Sequence, residues 1–585
     1  MRLTASARRA RGHVWAVSAS VLLTLLVCGD AGAATEDAKQ GATALVRGDT
    51  GQAIARYTSA LADQSLPNDR RAMLLNDRAV ARARLGQTKE AFDDFNQAVQ
   101  LFPEYAALYN NRGNLLLALG LVKEALKDFD RALLLAPGYA AAYNNRAGAR
   151  MKAGEAANAI ADYTQAVRLL PSGAAPLSGR GLAHLELGRP HAAIRDFSRA
   201  VNSDANFGAG YRNRAAAKLA VGHYEEAIED LSRAVAFDAK NDDIYRMRGR
   251  AYLVTGNYEA AVKDFSFAIE LKPNDASLYA ERGLAQGRNG NREEALADLG
   301  FAIEKAPRSA TAFAYRAVIY KEAEQADVGM KDVATAQKLA PDTAEVLWAK
   351  AELESALGQK DQAIADLRRA LFLDPGMKLA ADALERLDGD QAEAEEKVIT
   401  ELGLADWKVV MRGKRYFAVH PSHRRLSVPL EMVGEGQPKL LDFEQRDAPL
   451  KDIAVLTFSG GAIKGPAGEE PTEFAAILNL ATKTVVAIEP HKQGSKASTW
   501  TWGEDKVTVA SVDGVTDEFT LRPDKRPAVA AGGALAARRR FSAAREDQAQ
   551  PQPWDEPWAA PPKQRREARP VQRRKPKTLF ELLFN

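Results

Sequence analysis

Arginine and aspartate recur through the first two thirds of the sequence with a constant period of 34 residues. The arginines are Arg78, Arg112, Arg146, Arg180, Arg214, Arg248, Arg282 and Arg316. The aspartates are Asp94, Asp128, Asp162, Asp196, Asp230, Asp264, Asp298, Asp332 and Asp366. A row of arginines could bind an anionic ligand, whereas pairs of arginine and aspartate would join two helices. Because both residue types recur in step, we favour the paired, structural interpretation.

Asparagine and further arginine residues occupy neighbouring places in the same period. They are Asn76, Asn110, Asn111, Asn114, Asn144, Asn145, Arg212, Asn213, Arg246 and Arg250. An asparagine side chain offers donors and an acceptor, so a row of them can satisfy a peptide backbone without reading its side chains. The arginines would add a basic patch for a carboxylate or an acidic segment. The competing interpretation is a solvated helix face that binds nothing.

Side chains suited to catalysis or to metal binding form no convincing set. His420 and His423 have a spacing that could serve a metal, but no third ligand stands nearby in the sequence. The stretch SGGAIKGPAGEE from Ser459 lacks the order of a phosphate-binding loop, and there is no G-x-S-x-G motif. We therefore expect no catalytic site, no metal and no cofactor. The alternative is a cell-envelope enzyme or carbohydrate-binding protein whose activity lies in the C-terminal part of the chain.

The same period covers the surrounding residues and predicts the elements that position these side chains. Nine copies follow without a gap, at 72–105, 106–139, 140–173, 174–207, 208–241, 242–275, 276–309, 310–343 and 344–377, and another at 34–71 precedes them. We number these units repeats 1 to 10 from the N-terminus and count positions within each repeat, with Ala72 as position one of repeat 2.

Three kinds of residue recur at fixed positions in most of the repeats. Gly at position fifteen can end a first helix with a positive φ, and Pro near position thirty-two stops a second helix. Small residues at positions eight, twenty and twenty-seven allow helices to approach closely. Each repeat is therefore predicted to be a pair of helices, and a run of such pairs forms a solenoid.

Repeat 9 departs most from this pattern. Glu324 replaces the turn glycine, and Gly329 replaces the alanine expected at position twenty. We predict a weak joint in the array at this repeat.

Over residues 34–377 the pattern resembles the tetratricopeptide repeat (TPR) family, because several positions recur in phase. The resemblance implies a mostly α, right-handed α-solenoid of about ten helix pairs, whose first helices line a concave groove. In this family positions two, five, six, nine, twelve and thirteen commonly meet an extended peptide, and the asparagines and arginines above occupy the fifth, sixth and ninth. The implied function is a non-enzymatic scaffold that binds a protein or peptide partner in the groove. The carboxylate clamp of chaperone-binding members is not reproduced, which disfavours that ligand.

The period ends after Met377, and the composition of the chain changes. Residues 378–403 are predicted to form a capping helix over LAADALERL and a helical linker from Gln391 to Leu402. Residues 404–523 contain short runs of Val, Ile, Phe, Tyr and Thr between Gly and Pro turns, which predicts a small all-β domain. Trp500 and Trp502 fall on one face of a strand there, either as core residues or as a platform for a sugar.

Residues 524–585 are rich in Ala, Gly, Pro, Arg and Gln, a composition that predicts a disordered basic tail. The tail ends in TLFELLFN, where Leu579, Phe580, Leu583 and Phe584 would share one face of a helix. This motif could dock in a partner's groove, or the basic run could touch an anionic envelope surface. The third interpretation is an unstructured, solubilising end.

The N-terminus, residues 1–33, has the features of a secretory signal peptide. Arginines precede an apolar run from Val14 to Val27, and Ala31-Gly32-Ala33 offers a small-residue cleavage site. The run is short for a membrane span, which needs about 20 apolar residues, so an uncleaved anchor is disfavoured. Lipidation of Cys28 is also disfavoured, because the bulky Val27 precedes it. We expect an exported, soluble protein, periplasmic if the cell is bacterial, that works in a cell-envelope assembly.

Composition narrows the partners further. The formal net charge of +3 is too small to imply a nucleic acid partner. A single cysteine, Cys28, excludes an intramolecular disulfide and every multi-cysteine metal site. The sequence does not indicate an oligomeric state.

Overall fold

The computed structural model describes residues 33–521, apart from 375, 388–396, 413–414, 424–425, 434–436, 448–449, 466–467, 482, 504–505, 511 and 513–515. Within this part of the chain, 21 α-helices come first and 12 β-strands follow. The predicted signal peptide, Cys28 and the tail with Leu579, Phe580, Leu583 and Phe584 lie outside the described residues. None of the helices that are described is both long and apolar enough to cross a membrane.

The helices form consecutive antiparallel pairs. In chain order they are α1 Ala33–Arg47, α2 Thr50–Leu61, α3 Asn68–Arg84, α4 Thr88–Leu101, α5 Ala106–Ala118, α6 Val122–Leu135, α7 Ala140–Lys152, α8 Ala156–Leu169, α9 Ala174–Glu186, α10 Pro190–Ser203, α11 Gly208–Ala220, α12 Tyr224–Phe237, α13 Asp242–Val254, α14 Tyr258–Leu271, α15 Ala276–Arg288, α16 Arg292–Lys305, α17 Ala310–Glu322, α18 Ala326–Leu339, α19 Ala344–Ala356, α20 Lys360–Leu373 and α21 Lys378–Arg386. Each repeat thus contributes two helices, and α21 follows the last pair. The predicted fold class, a solenoid of helix pairs followed by antiparallel β-sheet, is confirmed.

The recurring small residues explain why the helices pack so regularly. The alanines at position twenty-seven are at most 1% exposed in every repeat: Ala60, Ala98, Ala132, Ala166, Ala200, Ala234, Ala268, Ala302, Ala336 and Ala370. The position-fifteen glycines end the first helices at φ values from 71° to 90°. Glycine adopts this left-handed backbone without a steric cost, which is why the turn between the two helices selects it.

The predicted pairing of arginine with aspartate is confirmed in repeats 2 to 9. Each of the eight arginines at position seven donates from Nε and Nη2 to the aspartate at position twenty-three of its own repeat, at 2.6–3.0 Å. The bidentate geometry joins the two helices of one repeat. In repeat 10, Lys350 takes the place of arginine and bonds Asp366.

Repeat 9 keeps the shape of its neighbours despite its different residues. Glu324 adopts the left-handed turn with φ 60°, a conformation that costs a residue with a Cβ atom energy. At Gly329, a Cβ atom would lie 2.8 Å from the Ala317 carbonyl oxygen and 2.7 Å from Leu353 Cδ2. The glycine therefore permits a closer helix crossing than alanine would, and only the turn is strained.

The strands form three antiparallel sheets. They are β1 Lys397–Leu404, β2 Trp407–Arg412, β3 Arg415–Val419, β4 Ser427–Pro429, β5 Leu440–Gln445, β6 Ile453–Gly465, β7 Gly468–Asn479, β8 Thr484–Gln493, β9 Lys496–Ala497, β10 Thr499–Trp502, β11 Lys506–Ala510 and β12 Thr516–Thr520. The sheet orders are β1-β2-β3-β4, β5-β6-β7-β8-β9 and β10-β11-β12. All neighbours are consecutive in sequence, so hairpins build each sheet.

One prediction for the junction is wrong. The predicted helical linker from Gln391 to Leu402 ends as strand β1, which begins at Lys397 and pairs with β2. The β-domain therefore begins before the predicted boundary at 404. The run KVITELGL contains β-branched Val, Ile and Thr, whose preference for a pleated surface outweighs the neighbouring glutamates once β2 offers hydrogen-bond partners.

Candidate functional site

A ladder of side-chain amides crosses the first helices of repeats 2, 3 and 4. Asn111 Nδ2 donates to Asn76 Oδ1 at 3.0 Å, and Asn145 Nδ2 donates to Asn110 Oδ1 at 2.9 Å. Within a repeat, Asn110 Nδ2 donates to Asn111 Oδ1 at 3.2 Å, and Asn144 Nδ2 donates to Asn145 Oδ1 at 3.3 Å. The five asparagines thus form one continuous chain of hydrogen bonds from α7 back to α3, which we call the amide ladder.

A carboxylate fixes the direction of the amide ladder. Asn76 Nδ2 donates to Asp77 Oδ1 at 3.0 Å. An ionised carboxylate only accepts hydrogen bonds, so Asn76 must turn its NH2 group toward Asp77 and its oxygen toward Asn111. Each later amide likewise donates from its nitrogen to the neighbour on the Asp77 side. The oxygen of Asn144 is therefore left at the far end of the chain of hydrogen bonds. The ladder therefore presents an acceptor at its open end.

Burial separates the ladder into an inner and an outer part. Asn76, Asn110 and Asn111 are 0%, 2% and 3% exposed and bond one another, so these predicted site residues stabilise the packing of α3 against α5. Asn114 is also buried on α5. Asn144 and Asn145 are only half-buried. The amides that a partner can reach are therefore concentrated at the α7 end.

The amide ladder stops because a glycine occupies its next rung. Each inter-repeat bond joins position five of one repeat to position six of the next, and the residue that would bond Asn144 is Gly179. A Cβ atom on Gly179 would lie 2.4 Å from Cε1 and Cζ of Tyr163, so that ring prevents any larger residue there. Hence α9 has no side chain to offer the Asn144 oxygen from this position.

Other residue types occupy the same inter-repeat positions further along the solenoid. Asn213 Nδ2 donates to Ser178 Oγ at 3.3 Å, and Arg212 Nη2 donates to Asn213 Oδ1 at 3.2 Å. One repeat later, the residue at position six is Met247, an apolar side chain across from Arg212. The half-buried guanidinium of Arg212 therefore faces no carboxylate from that position.

The predicted basic patch is partly neutralised by a glutamate that the sequence analysis missed. Glu281 accepts from Arg246 Nε at 3.0 Å and also pairs with Arg250. Burial by itself would lower the pKa of Arg250, but the negative charge of Glu281 raises that pKa above its ordinary value. Glu281 lies 35 residues after Arg246, the same spacing as the inter-repeat bonds of the amide ladder. That spacing is the signal that could have identified it.

The conspicuous residues of the β-domain lie apart from the amide ladder and form local contacts. The indoles of Trp500 and Trp502 stack on each other, with centroids 5.7 Å apart, and the Arg446 guanidinium lies 4.6 Å from the Trp502 ring centre. This stack covers ring faces that a sugar would need. The His420 and His423 rings are 5.2 Å apart, and no cluster of three or more potential metal-ligating His, Cys, Asp or Glu residues occurs in the described part of the chain.

Comparison with known families finds sequence models of one repeat type at four places. Residues 106–139, 39–106 and 344–376 match models described as tetratricopeptide repeat, and residues 249–290 match one described as TPR repeat. None of the curated proteins compared with the chain matches it.

Solved structures of similar proteins cover parts of the chain. A tetratricopeptide repeat protein from Parabacteroides merdae is 18% identical, covers 42% of this chain and 97% of its own, and has a TM-score of 0.38. MamA is 26% identical, covers 28% and 96%, and has a TM-score of 0.27. YrrB, described as a TPR protein with an unusual peptide-binding site, is 24% identical, covers 32% and 94%, and has a TM-score of 0.28.

Proposed function

We propose that the tetratricopeptide repeats of this chain form a protein-interaction scaffold, and that an extended peptide segment of a partner binds along the first helices at the open end of the amide ladder. The observation that carries this proposal is the interruption of the ladder at Gly179. Asn144 and Asn145 are half-buried there, and the direction of the ladder leaves an acceptor at its end. A backbone N–H of a bound peptide supplies the donor that Gly179 cannot supply.

Arg212 gives the proposed site a preference for acidic segments. Its guanidinium lies two repeats beyond Asn144, and the inter-repeat position opposite it is Met247. In contrast, Arg246 and Arg250 are already paired with Glu281. A peptide carboxylate near Arg212 would form a charge-assisted hydrogen bond, whereas one near Arg246 would compete with Glu281.

We further propose that this scaffold is exported and acts without catalysis in a cell-envelope assembly. The signal-like features of residues 1–33 support export, and periplasmic localisation follows if the cell is bacterial. The basic tail, with its terminal Leu579, Phe580, Leu583 and Phe584, would serve as a second contact, for a partner protein or an anionic surface.

Photo-crosslinking in the native cell tests the groove. A benzophenone amino acid is placed at Asn145 or Arg246 in the full-length protein, with the exposed Lys263 on the second helix α14 as the control site. We expect a discrete crosslinked partner from the two groove sites and none from Lys263, and we expect the Arg212→Glu substitution to abolish the crosslink. Equal crosslinking at Lys263, or no crosslink at either groove site, would contradict the proposal.

A further inference from the structure

The β-domain returns to the solenoid and contacts the start of α10 in repeat 5. Glu431, just after β4, accepts hydrogen bonds from two backbone amides, His191 N at 3.0 Å and Ala192 N at 3.4 Å. Its Oε1 also lies 3.0 Å from His191 Nδ1. The two residues are 240 positions apart in sequence, so this contact joins the middle of the solenoid to the domain that follows it.

Helix α10 has no acidic residue in its first turn and no side-chain cap of its own, and this contact brings a carboxylate to that end of the helix. Its N-cap residue, Arg189, makes no capping hydrogen bond, Pro190 begins the helix, and its first turn contains no acid. Seven of the other nine second helices, α4, α6, α12, α14, α16, α18 and α20, contain Glu or Asp in the first turn, whereas α2 and α8 lack an acid there as α10 does. A carboxylate at this end of a helix is stabilised by the exposed N–H groups and by the helix dipole. Glu431 of the β-domain therefore supplies the carboxylate that the first turn of α10 lacks.

Further polar contacts surround this point. Arg195 Nη1 on α10 lies 3.3 Å from Glu489 Oε2 on β8. A Cβ atom on Gly188 would lie 3.2 Å from Nη2 of Arg415, so the β3 guanidinium packs directly on the turn before α10. In repeat 6, Tyr224 Oη donates to the Gly376 carbonyl oxygen, beyond the last helix pair, at 3.3 Å. These contacts link repeat 5 to the β-domain and repeat 6 to the end of repeat 10. We call repeats 5 to 10 the arc.

The contact is electrostatic rather than hydrophobic. Glu431 and Glu489 are 6% and 2% exposed. Burial alone would raise the pKa of Glu431, but the hydrogen bonds and charge of His191 lower it below its ordinary value. Among the described residues, every cluster of buried apolar side chains lies wholly in the solenoid or wholly in the β-domain.

An interface of this kind can separate at small cost. Buried ion pairs gain little net stability because both charges regain water when they part, and no shared apolar core would be exposed. By contrast, removing only one of the two charges leaves the other buried and unpaired, which is strongly unfavourable. The contact is therefore specific when closed and readily reversible.

We propose that Glu431 and Glu489 form a reversible latch by which the β-domain closes the arc from repeat 5 to repeat 10 and fixes its curvature. Arg212, Arg246 and Arg250 lie on first helices within this arc, so the latch controls the width of the groove there; this regulatory role rests on the proposed function. Opening the latch removes the contacts of Glu431 and Glu489 with α10 while the chain still joins the solenoid to the β-domain. The β-domain of the same chain thus covers this edge of repeat 5.

The latch is tested in the full-length protein by hydrogen exchange and by distances between spin labels. The variants are Glu431→Lys on the β-domain side and Arg195→Glu, which would face Glu489, on the solenoid side. The control is Glu444→Gln, an exposed β5 residue paired with Arg446. We expect the amides of residues 191–193 to exchange at least about tenfold faster in both latch variants and at an unchanged rate in the control. Unchanged exchange in β6 and β7 shows that the β-domain remains folded.

Two pairs of spin labels, in a Cys28→Ser background, measure the opening of the latch and the curvature of the arc separately. Labels at Asn202 and Lys439 report the distance from repeat 5 to the β-domain, and labels at Asn202 and Lys331 report the distance across the arc. We expect narrow distributions in the parent chain and longer, broader ones in the latch variants. Parent-like exchange and distances in both variants would overturn the latch, whereas an altered first distance with an unchanged second would overturn control of curvature. No ligand is used, so neither result depends on groove binding.

Discussion

The arginine at position seven connects neighbouring repeats as well as the two helices of its own repeat. In repeats 2 to 8 its Nη1 also donates to the side chain at position twenty-five of the preceding repeat, at 2.7–3.3 Å. The acceptors are Thr58, Asn96, Asp130, Thr164, Ser198, Ser232 and Ser266. One guanidinium therefore uses its planar set of donors to hold three helices, which a lysine could not do.

Gly300 interrupts this pattern, and replacing it should stabilise the protein. It occupies position twenty-five of repeat 8, where Arg316 of repeat 9 would find its acceptor, and a Cβ atom there meets nothing within 4 Å. We expect Gly300→Ser to raise the free energy of unfolding by about 1 kcal/mol, because it removes a glycine from the interior of α16 and adds a hydrogen bond to a charged donor. Denaturant unfolding measures this change.

Two further variants separate the backbone contribution from the hydrogen bond at this position. Gly300→Ala gains only the backbone contribution, about 0.5 to 1 kcal/mol. If the effect of the serine persists unchanged when Arg316 is replaced by Lys, the hydrogen bond is not its cause.

At the scale of the helix pair, the turn between the two helices decides how well a repeat is formed. The turn glycines at position fifteen occupy the left-handed region without a Cβ atom to clash. Glu324 adopts the same turn in repeat 9, so the packing of α17 against α18 imposes the backbone and the glutamate bears the strain. We therefore predict that a weakness of repeat 9 would originate in the strained backbone at Glu324.

Replacing Glu324 by glycine should therefore strengthen repeat 9. Relief of the left-handed strain is worth about 1 kcal/mol, reduced by the greater freedom of glycine in the unfolded chain. We expect Glu324→Gly to raise the melting temperature and to slow hydrogen exchange in α17 and α18. The reciprocal change, Gly290→Glu in repeat 8, should lower the melting temperature. A loss of stability in Glu324→Gly would show that the glutamate side chain makes a compensating contact.

At the scale of the whole molecule, the solenoid and the β-domain are joined by charges and hold separate apolar cores. The described residues of the β-domain form two cores, one around Trp407 and Phe458 and one around Ile453 and Val509. Eight of the nine apolar clusters described in the solenoid run through adjacent repeats, as in the cluster from Leu253 to Leu384, and the ninth lies within repeat 4. Cooperativity in unfolding follows shared apolar burial, so the two parts have little to couple them.

Calorimetry should accordingly resolve two unfolding transitions. We expect the β-domain transition to keep its midpoint in a Glu431→Lys variant, because its apolar cores are untouched. Replacing Ala132 by Phe in the solenoid core should lower only the solenoid transition, since overpacking costs about 1 to 3 kcal/mol at a buried position. A single transition whose calorimetric and van't Hoff enthalpies agree would show instead that the two parts unfold as one unit.

The sequence alone determined everything that repeats with a fixed local spacing. The helix pairs, the turn glycines, the buried alanines and the pairing of Arg180 with Asp196 all follow from positions within one period, because sixteen or fewer residues separate the groups that meet. The β-rich composition after the array likewise predicted a sheet domain, although strand β1 was assigned to a helix. Residues so close in sequence have few possible arrangements within a helix pair, so their spacing is enough to predict the contacts.

Only the tertiary structure decided which of the repeated polar residues are accessible and which distant residues meet. Asn76 and Asn144 occupy the same position of their repeats, yet one is fully buried in the amide ladder and the other stands at its open end, because Gly179 changes the next repeat. Glu431 reaches His191 across 240 residues because the solenoid curves back toward its own C-terminal domain. The curvature of the solenoid is the sum of small rotations between consecutive repeats, so the residues of one repeat do not reveal it.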